Sequence, residues 1–192
     1  MTKNPPPEQF STQIRSLFEK SDWPAARALL IAHLPDGWTG LYGLLAMTHM
    51  HVQPRSQADC DLALEWLEKG VLHDEPDSLA VLGRVLMSGE LGKQNPERGI
   101  HLLQKAAQAN VLMAVLTLLK IHEQGVENFL EPDLVLAAHC LRQAAELGDP
   151  ACAYRLAVKL QQEGQDPVDV FRYYDKAAQG GMEQAMHNVG VC

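Results

Sequence analysis

Cysteine is sparse and unpatterned in this chain of 192 residues: Cys60, Cys140, Cys152 and Cys192 form no CxxC and no pairing by spacing. That usage suits a reducing compartment, so the cytoplasm is the expected location. Cys140 and Cys152 read as small buried hydrophobes and Cys192, the last residue, as an exposed thiol. Basic charge is also short. Lys and Arg number 16 against 24 Asp and Glu, for a formal charge of -8; nucleic-acid binders carry a basic stripe, so no nucleic-acid partner is expected. Long apolar runs are missing too. The densest stretch, Val111 to Leu119, falls well short of the roughly 18 residues a membrane-spanning helix needs. The opening MTKNPPPEQFSTQIRSL lacks the apolar core of a signal peptide, so neither membrane insertion nor export by that route is expected.

Catalytic signatures are absent as well: there is no GxSxG, P-loop, GxGxxG or HExxH. Histidine is plentiful but poorly placed. His49 and His51 stand two apart, which on a helix sends them to different faces, and the neighbours His139 and Cys140 diverge by about 100°. Glu127, Glu131 and Asp133 read as a solvated loop ending in a helix N-cap. With no nucleophile beside a base, the chain is expected to be no enzyme and to hold no metal and no cofactor.

What the chain does contain is a repeat. The stretch Asp133 to Ala157, DLVLAAHCLRQAAELGDPACAYRLA, has an acidic starter, an apolar run (Leu134, Ala137, Ala138, Leu141), a Gly-Asp-Pro break and a second helical pattern, which together predict helix, turn, helix. The same order recurs. With Lys69, Lys105, Gln143 and Lys176 as register marks, the intervals are 36, 38 and 33 residues. Ten residues before the marks stand Asp59, Asn95, Asp133 and Asp166, with Ser21 before the earlier mark Ile31, all expected N-caps. Trp66-Leu67, Leu102-Leu103, Cys140-Leu141 and Tyr173-Tyr174 are expected to lie on the buried stripe of each second helix. Gly148 and Gly181 fall where a helix wants a left-handed end, and Gly89 and Gly125 where the next helix closes. Small residues (Gly40, Ser78, Ala114, Cys152, Ala185) and larger apolar ones (Leu44, Leu82, Leu118, Leu156, Val189) alternate along that helix as facing helices require. Ahead of the repeats, Phe10, Ile14, Leu17 and Phe18 predict a first helix over residues 8–20.

Short helix pairs cannot bury their faces alone, so a repeated pair implies stacking. The expected fold is all-α: a right-handed superhelix of antiparallel helix pairs with about eleven helices. As one domain it would comprise an N-terminal helix over 1–20 and a solenoid over 21–192 of about five units, the first degenerate and the last incomplete, with Cys192 ending either a cap or a truncated unit.

The succession of cap, small residue, aromatic pair, Lys-Ala-Ala, Gly, Leu-Gly and Gly resembles the Sel-one-like repeat, a relative of the tetratricopeptide repeat. It is carried by Trp66, Lys69, Gly83 and Gly89, by Lys105-Ala106-Ala107 and Gly125, by Ala137, Ala144-Ala145 and Gly148, and by Lys176-Ala177-Ala178, Gly181 and Gly190. Leu45 and Leu119 depart from it, standing where the family has Gly. The resemblance implies a scaffold or adaptor that binds a protein or peptide partner on a concave face. By analogy with tetratricopeptide repeats, that face would carry Tyr42, His49, Asp77, Arg84, Met87, Met113, Lys120, Glu123, Tyr154 and Gln161. It also makes His122, in a column the family gives to tyrosine, a packed and hydrogen-bonded ring. Two alternatives stand beside that scaffold: a hydrolase resembling the cysteine-rich penicillin-binding branch of the family, whose cysteine pairs this chain lacks, and an assembly chaperone. Self-association through the C-terminal end is a further expectation.

Overall fold

The computed structural model describes residues 5–189, and among them the chain forms eleven α-helices. They are α1 (Glu8–Glu19), α2 (Trp23–Ala32), α3 (Leu41–Met50), α4 (Gln57–Leu72), α5 (Pro76–Ser88), α6 (Pro96–Gln108), α7 (Leu112–Gln124), α8 (Leu134–Glu146), α9 (Pro150–Gln162), α10 (Pro167–Gln179) and α11 (Glu183–Val189), with a 3-10 turn at Leu34–Asp36. Contacts divide the chain into two compact units, one ending at Ala109 and one beginning at Asn110. In each unit consecutive helices pack pairwise. The all-α repeat class is therefore as the periodicity predicts.

Local chemistry punctuates the helices. Asn95, Asp133 and Asp166 cap α6, α8 and α10 through their side-chain oxygens, as expected, and Asp149 does the same for α9. Two expected caps shift. Asp59 is the third residue of a capping box whose cap is Ser56, because the Ser hydroxyl and the Asp carboxylate satisfy each other's backbone amides. At α2 the cap is Asp22, while Ser21 takes a left-handed φ of 55°. Three second helices, α4, α8 and α10, end alike: Glu75, Asp149 and Met182 donate their N–H to the carbonyls of Gly70, Ala144 and Ala177 at 2.9, 3.0 and 3.1 Å. This is the six-to-one closure of a Schellman motif, which needs a left-handed residue before its donor. Gly148 and Gly181 fill that place at φ 92° and 87°, and Asp74 holds the same column at 51°.

Unit 1 has an aromatic-rich start, where Phe10, Ile14, Leu30, Leu41 and Leu45 form a buried cluster with Trp38 packed on it. Farther along, α5 and α6 cross at glycines. A Cβ on Gly83 would stand 2.9 Å from the Gly99 carbonyl oxygen and 2.8 Å from Leu103 Cγ, so only hydrogen fits. Unit 2 fills its interior with Tyr173, Tyr174, Ala144, Ala145, Cys152 and Leu156, all buried.

Several expected positions are corrected. Gly40 is not packed in α3 but caps it at φ 86°. The 3-10 turn ahead of α3 displaces the register there, and Gly43 is the small residue that faces Ser78. Trp66 is half-buried rather than core, and Leu134, the first residue of α8, is 73 % exposed. His122 is buried as expected, yet its Nδ1 has no hydrogen-bond partner. Cys192 and Gly190 lie outside the described residues, as does the side chain of Val189.

Candidate functional site

All ten residues assigned to the recognition face lie on the first helices of the pairs, α3, α5, α7 and α9. Their environments differ sharply. In unit 1, Tyr42 is half-buried in an aromatic stack, its ring 5.0 Å from His73 with the planes 8° apart and 6.2 Å from Trp66, while the Lys69 ammonium sits 4.2 Å from the Trp66 ring centroid. A recess of about 160 Å³ opens beside it, lined by Leu34, Trp38, Leu41, Tyr42, His73 and Glu75. His49 is buried, with Nδ1 3.2 Å from Asp59 Oδ1, so it supports the face from beneath. Arg84 donates to Glu90 Oε2 at 2.7 Å, Asp77 is exposed, and Met87 packs over Gly99.

In unit 2, Lys120 and Gln161 are exposed and Met113 and Tyr154 half-buried. Arg155 donates to Glu123 across α7 and α9. The Tyr174 hydroxyl donates to Gln161 Oε1 at 2.7 Å, and the Tyr154 ring lies 5.8 Å from that of Tyr174. Exposed or half-exposed on each unit is thus a mixture of aromatic, methionine and charged groups, a composition suited to peptide contact. Among the described residues no group of three or more His, Cys, Asp or Glu is placed to hold a metal ion.

One residue escaped the sequence reading. Glu75 is 2 % exposed. Its Oε1 accepts the N–H of Gly40 at 2.9 Å, and its Oε2 accepts the Gly43 N–H at 3.4 Å and the Ser78 hydroxyl at 2.8 Å. The carboxylate thereby satisfies orphan amides at the start of α3, where the helix dipole also favours a negative charge. Gly70 of α4 completes the node, since a Cβ there would come within 2.1 Å of Ser78 Oγ. The sequence carries no signal for this role: a glutamate before Pro76 reads as a solvated helix start, and only the fold brings Gly43, Gly70 and Ser78 around it.

The two buried thiols, Cys140 and Cys152, are poor nucleophiles. Burial, reinforced by the Asp149 carboxylate, pushes the Cys152 thiol up to about 12, and burial also raises that of Cys140; it is the thiolate that reacts. Opposite in effect, the Ser56 hydroxyl and then His49 hold the Asp59 carboxyl down at about 2.

Solved structures share this fold. A Sel1 repeat protein from Oxalobacter formigenes aligns with a TM-score of 0.66 at 19 % identity, covering 93 % of this chain and 73 % of that one. A sel1 repeat structure from Klebsiella pneumoniae subsp. pneumoniae gives 0.60 at 18 %, covering 95 % and 97 %. The protein c5321, a protective antigen present in uropathogenic Escherichia coli strains and displaying an SLR fold, gives 0.59 at 21 %, covering 86 % of this chain and 36 % of its own. At these identities the likeness is one of fold. The sequence itself matches the Sel1 repeat at residues 49–73, 76–111, 112–149 and 150–182. Those four stretches take up more than half of the chain and follow the helix pairs seen in both units, and the chain belongs to the Sel1 repeat family.

Proposed function

We propose that the protein is a non-catalytic scaffold or adaptor that binds a protein or peptide partner through side chains on the first helices of its units. Sel1 repeats build scaffolds typical of protein–protein interaction modules. The observation that carries the reading here is the regular placement of exposed and half-exposed recognition side chains on α3, α5, α7 and α9, each held from behind by a fixed contact: Tyr42 by His73, Arg84 by Glu90, Glu123 by Arg155 and Gln161 by Tyr174. Side chains ordered before binding lose less entropy on binding. The recess beside Tyr42 would take one apolar side chain of the partner. The unpaired Cys60, Cys140 and Cys152 support a reducing compartment, the cytoplasm, as the place of action.

Substituting Arg84 and Lys120 together with Ala tests the reading. A partner recovered on the immobilised wild-type chain should bind the double variant at least tenfold more weakly, about 1.4 kcal/mol, with helical content unchanged by circular dichroism. Equal affinity would remove the first-helix face from consideration.

A further inference from the structure

The second helices of unit 2 carry apolar side chains that the fold does not use. Leu134, Val135 and Leu136, the first turn of α8, are 73 %, 80 % and 45 % exposed, and Phe129 in the loop leading to them is 43 % exposed. Three consecutive residues sweep about 200° of a helix, so no rotation of α8 could bury them all. The inward stripe is already filled by Ala137, Cys140, Leu141 and Ala144. The next second helix repeats the pattern. Val168, in the same repeat position as Val135, is 72 % exposed, and Phe171 is 42 % exposed.

Unit 1 treats that position differently: eight residues before the marks Lys69 and Lys105 stand Asp61 and Glu97, both exposed. Unit 1 does expose single large apolar residues, but Leu62 and Leu72 are ten residues apart on α4 and form no cluster. Scattered apolar residues are ordinary on a surface, whereas clustered ones mark an interaction site. The electrostatic surroundings define the occupant. No Lys or Arg occurs from residue 121 to 141 or from 160 to 171, Arg172 just after the second stretch is already paired with Asp169 and Glu146, and the exposed Glu127, Glu131, Asp166 and Asp169 stand beside the apolar groups in the chain.

We propose that this outer face of unit 2 docks an amphipathic segment of another protein that presents apolar residues on one side and Lys or Arg beside them. A second copy of this chain fits badly, because symmetric pairing would bring carboxylate against carboxylate. An anionic membrane surface is repelled by the same rim. The site lies on the second helices and is independent of the first-helix face proposed above.

The test uses the full chain and a synthetic 18-residue peptide of Leu and Lys with helical spacing, alongside the same peptide with Glu in place of Lys and a scrambled Leu–Lys control. Fluorescence anisotropy should show binding of the ordered Leu–Lys peptide only, weakening as salt rises. L134Q/V135Q should weaken it at least tenfold at an unchanged melting temperature, E127Q/E131Q should weaken it and flatten the salt dependence, and R84A/K120A should leave it unaltered. The proposal is overturned if L134Q/V135Q binds like the wild type, if the Leu–Glu or scrambled peptide binds equally, or if the ordered Leu–Lys peptide does not bind. It is equally overturned if these substitutions instead abolish binding to anionic vesicles or a concentration-dependent dimer seen by sedimentation.

Discussion

Units 1 and 2 are built from one repeat yet differ in the side chains that fill their main helix junctions. Unit 1 relies on close backbone approach and a buried charge: Gly83 against Gly99, and Glu75 set among Gly40, Gly43, Gly70 and Ser78. Unit 2 relies on bulk and on surface pairing. Tyr173 and Tyr174 fill the space between helices, and the Tyr173 hydroxyl donates to Glu146 Oε1 at 2.6 Å while Arg172 and Lys176 pair with the same carboxylate. The repeat constrains where helices meet and leaves open which side chains fill the junction. All three tryptophans, Trp23, Trp38 and Trp66, lie in unit 1, and three of the four tyrosines lie in unit 2. Tryptophan fluorescence therefore follows unit 1, while tyrosine near-UV dichroism is weighted toward unit 2, Tyr42 being the one tyrosine of unit 1.

The largest contrast sits at one repeat position. Tyr173 is fully buried and Trp66, its counterpart, is half-buried with Lys69 over its ring. Tyr173→Ala should cost about 3–5 kcal/mol in urea unfolding, as for other buried aromatics, and Trp66→Ala about half as much, in proportion to the area removed from water. Equal costs would mean that both units bury this column alike.

Next in size is the buried carboxylate. Glu75→Ala leaves two backbone amides and the Ser78 hydroxyl without their acceptor; stranding buried donors of this kind costs about 3 kcal/mol in all. Glu75→Gln keeps an acceptor oxygen and should cost less. Tryptophan fluorescence should report the loss, and a loss seen first in the tyrosine signal would break the assignment of this node to unit 1.

These contrasts also mark how far the sequence could be read. Periodicity and end signals are local, so the helices, the caps at Asn95, Asp133 and Asp166 and the closures at Gly89 and Gly148 were legible. The displaced register of α3 was not, because a 3-10 turn inserted at Leu34–Asp36 has no periodic signature. Nor was Glu75, since a glutamate before proline reads as a solvated helix start and only the fold brings the amides of α3 to it. Leu134 misled for the opposite reason: it continues an apolar period into a first turn where nothing packs on it. On the recognition face the helix carrying each residue was legible, but the burial of His49 depends on Asp59, ten residues away.

The glycine crossing offers a smaller effect and a reciprocal one. Gly83→Leu should destabilise unit 1 by about 2–3 kcal/mol through overpacking, because the obstructing atoms include the Gly99 carbonyl, which cannot swing aside. Unit 2 has Ala157 in that column, fully buried, so a Cβ is already accommodated there. Ala157→Gly should cost only about 1 kcal/mol, the helix-propensity difference together with a small loss of packing. If Gly83→Leu proved harmless, the close approach of α5 and α6 would be an incorrect description of unit 1.

The smallest effect is the response to acid, and it separates the units by mechanism. In unit 1 the Ser56 hydroxyl and His49 hold the Asp59 carboxyl at about 2, below its ordinary 3.8. Folding thus favours the ionised form, so its contribution is complete above about pH 4 and disappears as the pH falls toward 2. In unit 2 the Lys176 ammonium, followed by the Tyr173 hydroxyl, holds the Glu146 carboxyl below the usual glutamate range, and the sign is the same. Asp59→Asn should flatten the acid-side fall in stability followed by tryptophan fluorescence and leave the tyrosine dichroism profile in place. Glu146→Gln should do the reverse, and more weakly, because Glu146 and its partner Arg172 are exposed and their pairing is screened by solvent. If either substitution altered both profiles equally, the acid response would belong to a single cooperative structure, and the division of the chain at Ala109 would have no counterpart in its unfolding.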